Sequence, residues 1–157
     1  MFTEVYLFLR LYNGALEMPL ASSSIPDTDR KYAHTDRYIL MSISENAYLL
    51  DLLAEKVIYI GFFYGDALCG IISQKGDWMA VGGSDGFAVR RNDLIRRFEG
   101  MNVYDMRQSG PESLLILEDP WMEDAAIWEF NVRTALLEKV RPFPDYARQP
   151  YTENVIW

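Results

Sequence analysis

Residues 57–90 decide the fold class, and they read VIYIGFFYGDALCGIISQKGDWMAVGGSDGFAVR. β-Branched and aromatic residues, which favour strands, are concentrated in short apolar runs, and segments rich in Gly and Asp separate the runs. Glycine accepts the positive φ angles of tight turns without steric strain. The stretch therefore predicts a β-meander whose strands are Val57–Tyr64, Ala67–Ser73, Trp78–Val81 and Phe87–Arg90. The predicted turns are Gly65-Asp66, Lys75-Gly76-Asp77 and residues 82–86.

Residues on either side of this meander predict two helices. Ser42 and Glu45 have the spacing of a capping box, in which each side chain satisfies a free N–H at a helix start. The leucines that follow form a wide apolar stripe, so Ser42–Glu55 is the predicted main helix, packed on one face of the sheet. A shorter helix is predicted between Asn92, as its N-cap, and Gly100, just past its end.

The remaining segments extend the sheet. Further strands are predicted at Ser113–Leu117, Ala126–Asn131 and Ala135–Val140, with a turn at Asn131–Thr134. Glu4–Tyr12 favours a strand, with a helix as the alternative, and residues 19–36 favour a loop. The predicted fold is a single α+β domain over residues 1–157, with one twisted antiparallel sheet of about six or seven strands and one main helix. The strand spacing faintly resembles that of a propeller, but the chain is short for a closed ring of four-stranded blades.

The last seventeen residues, Arg141–Trp157, contain three prolines and four aromatic side chains. A free tail rarely carries so much aromatic surface. We therefore expect Tyr146, Tyr151 and Trp157 to pack back on the sheet.

Composition excludes several functional classes. The net charge of −8 disfavours nucleic acid, because a phosphate backbone is bound by clustered Lys and Arg. A small basic cluster (Arg90, Arg91, Arg96, Arg97) is interpreted as a solvated face balanced by Asp93 and Glu99. The apolar run from Val5 to Leu11 is too short for a bilayer, so no membrane association is predicted. The single cysteine fits a reducing compartment and predicts a cytoplasmic protein.

No catalytic or metal-binding motif is recognisable. The only thiol, Cys69, lies in an apolar run, and the only imidazole is His34, so neither a nucleophilic pair nor a zinc site is predicted. Asp27 and Asp29 resemble a fragment of a calcium loop, but the required Gly and Glu do not follow. Phosphate-binding glycine motifs are absent. We therefore predict that the protein is not an enzyme and carries no cofactor.

The strongest indication of a function in the sequence is a cluster of acidic residues. Between Pro111 and Phe130 there are six acidic residues, two tryptophans and no Lys or Arg. Acids interleaved with large apolar side chains indicate a folded face that binds a basic partner. The predicted partner-binding residues are Glu118, Asp119, Trp121, Glu123, Asp124 and Trp128. Two alternatives remain open for this segment: a solvated acidic loop, and a carboxylate pair of the kind used in glycoside hydrolysis.

In general character the chain resembles bacterial toxin-immunity proteins, which are small, acidic, single-domain proteins. The resemblance implies a bacterial source and a cognate toxin. From the charge we predict that the protein, as a monomer or weak homodimer, blocks a basic, nuclease-like toxin with its carboxylates standing in for phosphates. One alternative is a small-ligand protein or hydrolase with a pocket lined by Tyr59, Phe63, Trp78 and Asp85. Another is a structural subunit that uses its aromatic C-terminus as a contact.

Overall fold

The computed structural model describes residues 29–157, and in this range the fold is entirely β. Twelve strands form three four-stranded antiparallel sheets. The first sheet contains β1 (Asp29–His34), β2 (Tyr38–Ile43), β3 (Asn46–Asp51) and β4 (Lys56–Phe62). The second contains β5 (Ala67–Ile72), β6 (Trp78–Gly83), β7 (Gly86–Arg91) and β8 (Leu94–Glu99). The third contains β9 (Val103–Gly110), β10 (Ser113–Glu118), β11 (Ala126–Asn131) and β12 (Leu136–Pro142).

Within each sheet, every strand pairs with its neighbour in the chain, so each sheet is an up-and-down meander. The first strands of neighbouring sheets lie beside each other, β1 against β5 and β5 against β9. Successive four-stranded meanders arranged in this way resemble neighbouring blades of a β-propeller. The predicted single sheet with a main helix is therefore wrong. No stretch of residues 29–157 forms a helix suited to crossing a membrane.

Two apolar cores lie between the sheets. The core between the first and second sheets is built on Leu40, Leu49, Phe63, Met79 and Val81. The core between the second and third sheets includes Trp78, Phe87, Val103, Leu114, Ile116 and Phe130. Both faces of the middle sheet are covered, and all six residues of β6 are buried. This burial explains the unbroken apolar run that begins at Trp78, since a strand buried on both faces does not alternate with polar residues.

A close approach between sheets explains one error in the predicted turns. Gly82 and Gly83, predicted as turn residues, belong to β6, and the turn contains only Ser84 and Asp85. A Cβ atom added at Gly82 would lie 2.6 Å from Val103 Cγ1 and 2.7 Å from Met106 Cε. Glycine is therefore needed here because the third sheet packs directly on the backbone of the strand.

The predicted main helix at Ser42–Glu55 is instead the end of β2, a turn, the whole of β3 and a second turn. Ser44 has a φ of 49°, which reverses the chain at a two-residue hairpin turn. Glu45 does not form a capping box, since its side chain accepts a hydrogen bond of 2.7 Å from the Gly65 N–H. Leu49 and Leu50 point to opposite faces, each into its own apolar cluster, which is the two-residue period of a strand.

The second predicted helix is also wrong, because Asn92 and Asp93 have φ angles of 50° and 63° and form the hairpin turn into β8. Asn and Asp tolerate this left-handed region better than other residues with a side chain.

The predicted loop at residues 19–36 contains β1 from Asp29 onward, and the strand proposed at Glu4–Tyr12 lies outside the described residues. The strands predicted between Val57 and Arg90 and between Ser113 and Val140 are confirmed with shifted bounds, and so is the turn predicted at Asn131–Thr134. The sequence did not predict β9.

Candidate functional site

The predicted acidic segment, Pro111–Phe130, covers β10, the loop of residues 119–125 and most of β11, and this loop lies at one end of the third sheet. Asp119 fixes this loop, since its Oδ1 accepts the Trp121 N–H at 3.1 Å and its Oδ2 accepts an N–H of Asn102 at 3.3 Å. The Asp119 N–H also donates to the Asn102 carbonyl at 2.9 Å. The loop therefore has a defined conformation set by a residue that precedes β9.

The C-terminal segment, residues 143–157, covers the face of the third sheet that points away from the second sheet. Phe143 is fully buried there, and Tyr146, Val155 and Trp157 pack beside it against side chains of the sheet. The Trp157 indole N–H donates to Asp105 Oδ2 at 2.9 Å. The expectation that Tyr146 and Trp157 pack back on the sheet is therefore confirmed.

The loop and the C-terminal segment meet around Trp121. The ring of Tyr104 lies edge-on to Trp121 at 5.4 Å, and the ring of Tyr151 lies 4.9 Å away on another side. Tyr151 reaches Trp121 but remains 72% exposed, so it belongs to the surface as well as to the cluster. The Trp121 indole N–H is buried and has no hydrogen-bond partner within residues 29–157. We call the surface formed by residues 119–125 and 143–157 the acidic end.

The pKa of Tyr104 responds to the negative charge of the acidic end. Partial burial raises the pKa of Tyr104, and the nearby Tyr151, Asp105, Asp119 and Glu153 raise it further. Burial is the largest cause of this shift, and the neighbouring acids show that negative charge lies close to Tyr104.

The six predicted partner-binding residues differ in their availability. Glu118 Oε2 accepts the Trp128 indole N–H at 2.9 Å, and Trp128 packs at the edge of the core between the second and third sheets, beneath Lys139. Asp119 and Trp121 are engaged within the acidic end as described. Glu123 is exposed and forms an ion pair with Arg148. Asp124 is exposed and has no hydrogen bond or ion pair to residues 29–157.

Sequence reasoning missed several surface residues of the acidic end. Asp145 and Glu153 are exposed carboxylates that, like Asp124, make no hydrogen bond or ion pair within the described chain. Met122 of the loop and Ile156 of the C-terminal segment are exposed apolar side chains. An open hollow of about 570 Å³ in the C-terminal segment is lined by Asp145, Tyr146, Gln149, Pro150, Thr152 and Ile156. The aromatic content of the segment was the available signal, and the sequence linked it to packing on the sheet or to a subunit contact, not to the acidic surface.

The pocket considered as an alternative is not assembled. Phe63 lies in the core between the first and second sheets, whereas Trp78 lies in the core between the second and third. Tyr59 is exposed on the first sheet, and Asp85 pairs with Arg97 at 2.8 Å in a hairpin turn. These four side chains therefore do not converge on one cavity.

The thiol and the imidazole are not paired either. Burial raises the pKa of the Cys69 thiol, and its sulfur lies 3.8 Å from the Gly82 carbonyl oxygen. His34 is exposed at the end of β1. A thiol with a raised pKa is a poor nucleophile at neutral pH.

No protein-family model matches the chain, and no curated protein does. Among solved structures, the chain is similar to the crystal structure of TolB from Acinetobacter baumannii at 15% identity, with a TM-score of 0.40. The similarity covers 68% of this chain and 30% of the TolB chain, so this protein spans less than a third of the length of that structure.

Proposed function

We propose that the protein is a binding protein that holds a basic partner protein against the acidic end. The observation that supports this proposal is a set of three exposed carboxylates, Asp124, Asp145 and Glu153, that make no hydrogen bond or ion pair within residues 29–157. The same loop and C-terminal segment also carry the exposed side chains of Met122 and Tyr151. Exposed aromatic and apolar side chains supply affinity in protein interfaces, and surrounding charges set specificity and the association rate.

The rigidity of the acidic end favours tight binding. The loop of residues 119–125 is tied to Asn102, and the Phe143 N–H donates to the Ala125 carbonyl at 2.8 Å. Trp157 anchors the far end of the segment through Asp105. A surface that is already ordered loses little conformational entropy when a partner docks.

The partner class that we propose is a nuclease-like toxin, with the protein acting as its immunity protein or antitoxin. Such a toxin needs a positive cleft to hold phosphate groups, and carboxylates can occupy that cleft in their place. Residues 111–157 carry nine acidic and four basic residues, so the charge of this region suits a cationic cleft.

The test is capture of the partner from the native host, followed by binding measurements with the purified partner. We expect the double variant Asp124→Lys/Glu153→Lys to weaken binding of a single basic protein at least tenfold, because each change reverses an exposed charge. The matched control is the double variant Asp36→Lys/Glu55→Lys, which reverses two exposed carboxylates at turns of the first sheet.

Equal binding by the wild type and the double variant would refute a role for the acidic end. If the captured protein is a nuclease and the wild type inhibits it in stoichiometric amounts, the immunity function is supported. A basic partner without toxic activity would retain the binding role and refute the immunity function.

A further inference from the structure

The basic cluster of the second sheet is divided between two faces by strand geometry. Residues that alternate along a strand point to opposite faces, so each Arg-Arg pair sends one guanidinium to each side. Arg97 points toward the first sheet, where it stacks 4.5 Å from the Phe63 ring. Arg91 pairs across the hairpin with Leu94, and Arg96 pairs with Val89, which belongs to the core shared with the third sheet. Arg91 and Arg96 therefore point together toward the third sheet.

Arg91 and Arg96 line a groove of about 180 Å³ between the second and third sheets, and Arg133 lines it from the turn between β11 and β12. The rest of the lining is mostly apolar and consists of Val89, Asn92, Leu94, Phe130 and Val132. We call this cavity the arginine groove. It combines three guanidinium groups with an apolar floor.

A carboxylate of the protein already binds at the edge of the arginine groove. Glu112 Oε1 accepts a hydrogen bond of 3.2 Å from Arg91 Nη2, and its Oε2 accepts one of 2.8 Å from Arg133 Nε. This bridging contact shows that the two guanidinium groups are spaced to share one anionic group. Each guanidinium has five N–H donors, so most donors of both arginines remain available.

Arg96 is the least engaged of the three arginines. Its side chain is exposed, and it makes no hydrogen bond or ion pair to any residue from 29 to 157. With Glu112 counted, the formal charge of the groove is +2, in a protein whose net charge is −8. This local reversal of charge favours an anion.

We propose that the arginine groove binds a small organic anion, in which one carboxylate or phosphate group is attached to a compact apolar body. The planar fork of arginine matches both anionic groups. The apolar body would lie on Val89, Leu94 and Val132, where its burial adds to the affinity. The volume is below the roughly 300 Å³ of pockets for drug-sized ligands, which limits the ligand to a compact molecule.

The experiment is calorimetric titration of the wild type with phenyl phosphate, benzoate, inorganic phosphate and benzyl alcohol. We expect saturable one-to-one binding of phenyl phosphate or benzoate, and weaker binding of inorganic phosphate and of the neutral alcohol. The tighter of the two aromatic ligands identifies the preferred anionic group. Absence of saturable binding of both aromatic anions at millimolar concentration would overturn the proposal.

Variants test whether the groove is the site. Arg96→Gln should weaken binding about tenfold or more, as expected when a charge-assisted hydrogen bond is lost. Glu112→Gln should tighten binding, because it removes the carboxylate that competes for Arg91 and Arg133. The matched control is Arg30→Gln, since Arg30 is also exposed and also makes no hydrogen bond or ion pair within the described chain.

These changes lie at the surface, and thermal melting of each variant verifies folding. Equal losses of affinity in Arg96→Gln and Arg30→Gln would show that the anion responds only to overall charge, and the proposal would fail. The proposal would also fail if Glu112→Gln weakened binding. Neither outcome bears on the acidic end, because the two surfaces share no residue.

Discussion

A methyl group at position 82 has no space, because Val103 and Met106 of the third sheet already contact the backbone there. Gly82→Ala should therefore lower the free energy of unfolding by about 1–3 kcal/mol, the usual range for overpacking a core. Chemical denaturation of the purified variant measures this value. Gly110→Ala is the matched control, since its nearest contact would be an ordinary 3.6 Å. Equal stabilities of the two variants would contradict the close approach of the sheets.

Asp51 predicts a dependence of stability on pH. It is 6% exposed and accepts two hydrogen bonds from Arg37, of 3.0 and 2.7 Å, and the Arg37 guanidinium is the main reason that its pKa is lowered. A carboxyl whose pKa is lower in the folded state stabilises the fold above its unfolded pKa of about 4, and this stabilisation is lost as the pH falls through the folded value.

Asp51→Asn should therefore destabilise the protein by about 1 kcal/mol at pH 7, because Arg37 is half exposed and solvent screens the pair. The difference from the wild type should shrink as the pH falls below about 4. Denaturation at a series of pH values measures this trend, with Asp36→Asn as the exposed control. A difference that stayed constant down to pH 2 would show that the charge of Asp51 is not the cause.

Individual residues of the acidic end were only partly predictable from sequence. Spacing and composition found the loop and its negative charge. They could not show that Asp119 binds Asn102 or that Glu118 binds Trp128, because these partners are 17 and 10 residues away. The exposed carboxylates of the C-terminal segment join the site only through tertiary packing.

At the scale of elements, the C-terminal segment acts as a cover for the third sheet. Phe143→Ala should lower the free energy of unfolding by about 3–5 kcal/mol, since it removes a large side chain that is 1% exposed. Leu136→Ala, at an exposed position of β12, is the control and should change stability by about 0.5 kcal/mol or less. If both variants unfolded at the same denaturant concentration, the segment would not belong to the cooperative unit.

Strands were predictable where turn residues marked their ends. They were predicted as helices where the same residues also matched the capping and apolar pattern of a helix. Ser42–Glu55 satisfies a capping box and a leucine stripe, yet strand pairing on both sides of β3 outweighs these local preferences. Tertiary context commonly overrides intrinsic propensity in this way. The turns at Ser44 and Asn92 contain no glycine and so lacked the usual signal.

At the scale of the whole molecule, charge is distributed unevenly, and this predicts how binding depends on salt. The acidic end should attract a basic partner over long distances at low ionic strength, whereas 0.5 M salt screens charges beyond a few ångströms. We expect the association rate constant to fall by about tenfold or more between 20 mM and 0.5 M NaCl, with a smaller change in the dissociation rate constant. Stopped-flow or surface-binding kinetics with the purified partner measure both, and an association rate independent of salt would contradict electrostatic steering.

The three-sheet architecture was not predictable from the sequence pattern. Hairpin signals show which strands are neighbours in the chain, but not where one sheet ends and the next begins. The sheets are separated at Phe63–Asp66 and at Gly100–Asn102. The composition of these two segments does not differ from that of the hairpin turns within the sheets. Packing of β5 against β1 and β9 decides where the sheets separate.

Within each sheet, every strand pairs with the strand that precedes it, and this has a consequence for synthesis on the ribosome. Each sheet can form as soon as its own four strands have emerged, since no pairing waits for a distant part of the chain. The third sheet is the exception in one respect: Leu115, Leu117 and Ile127 stay uncovered until residues 143–157 follow. A released chain that ends at Pro142 would therefore expose this apolar face to chaperones and to other chains.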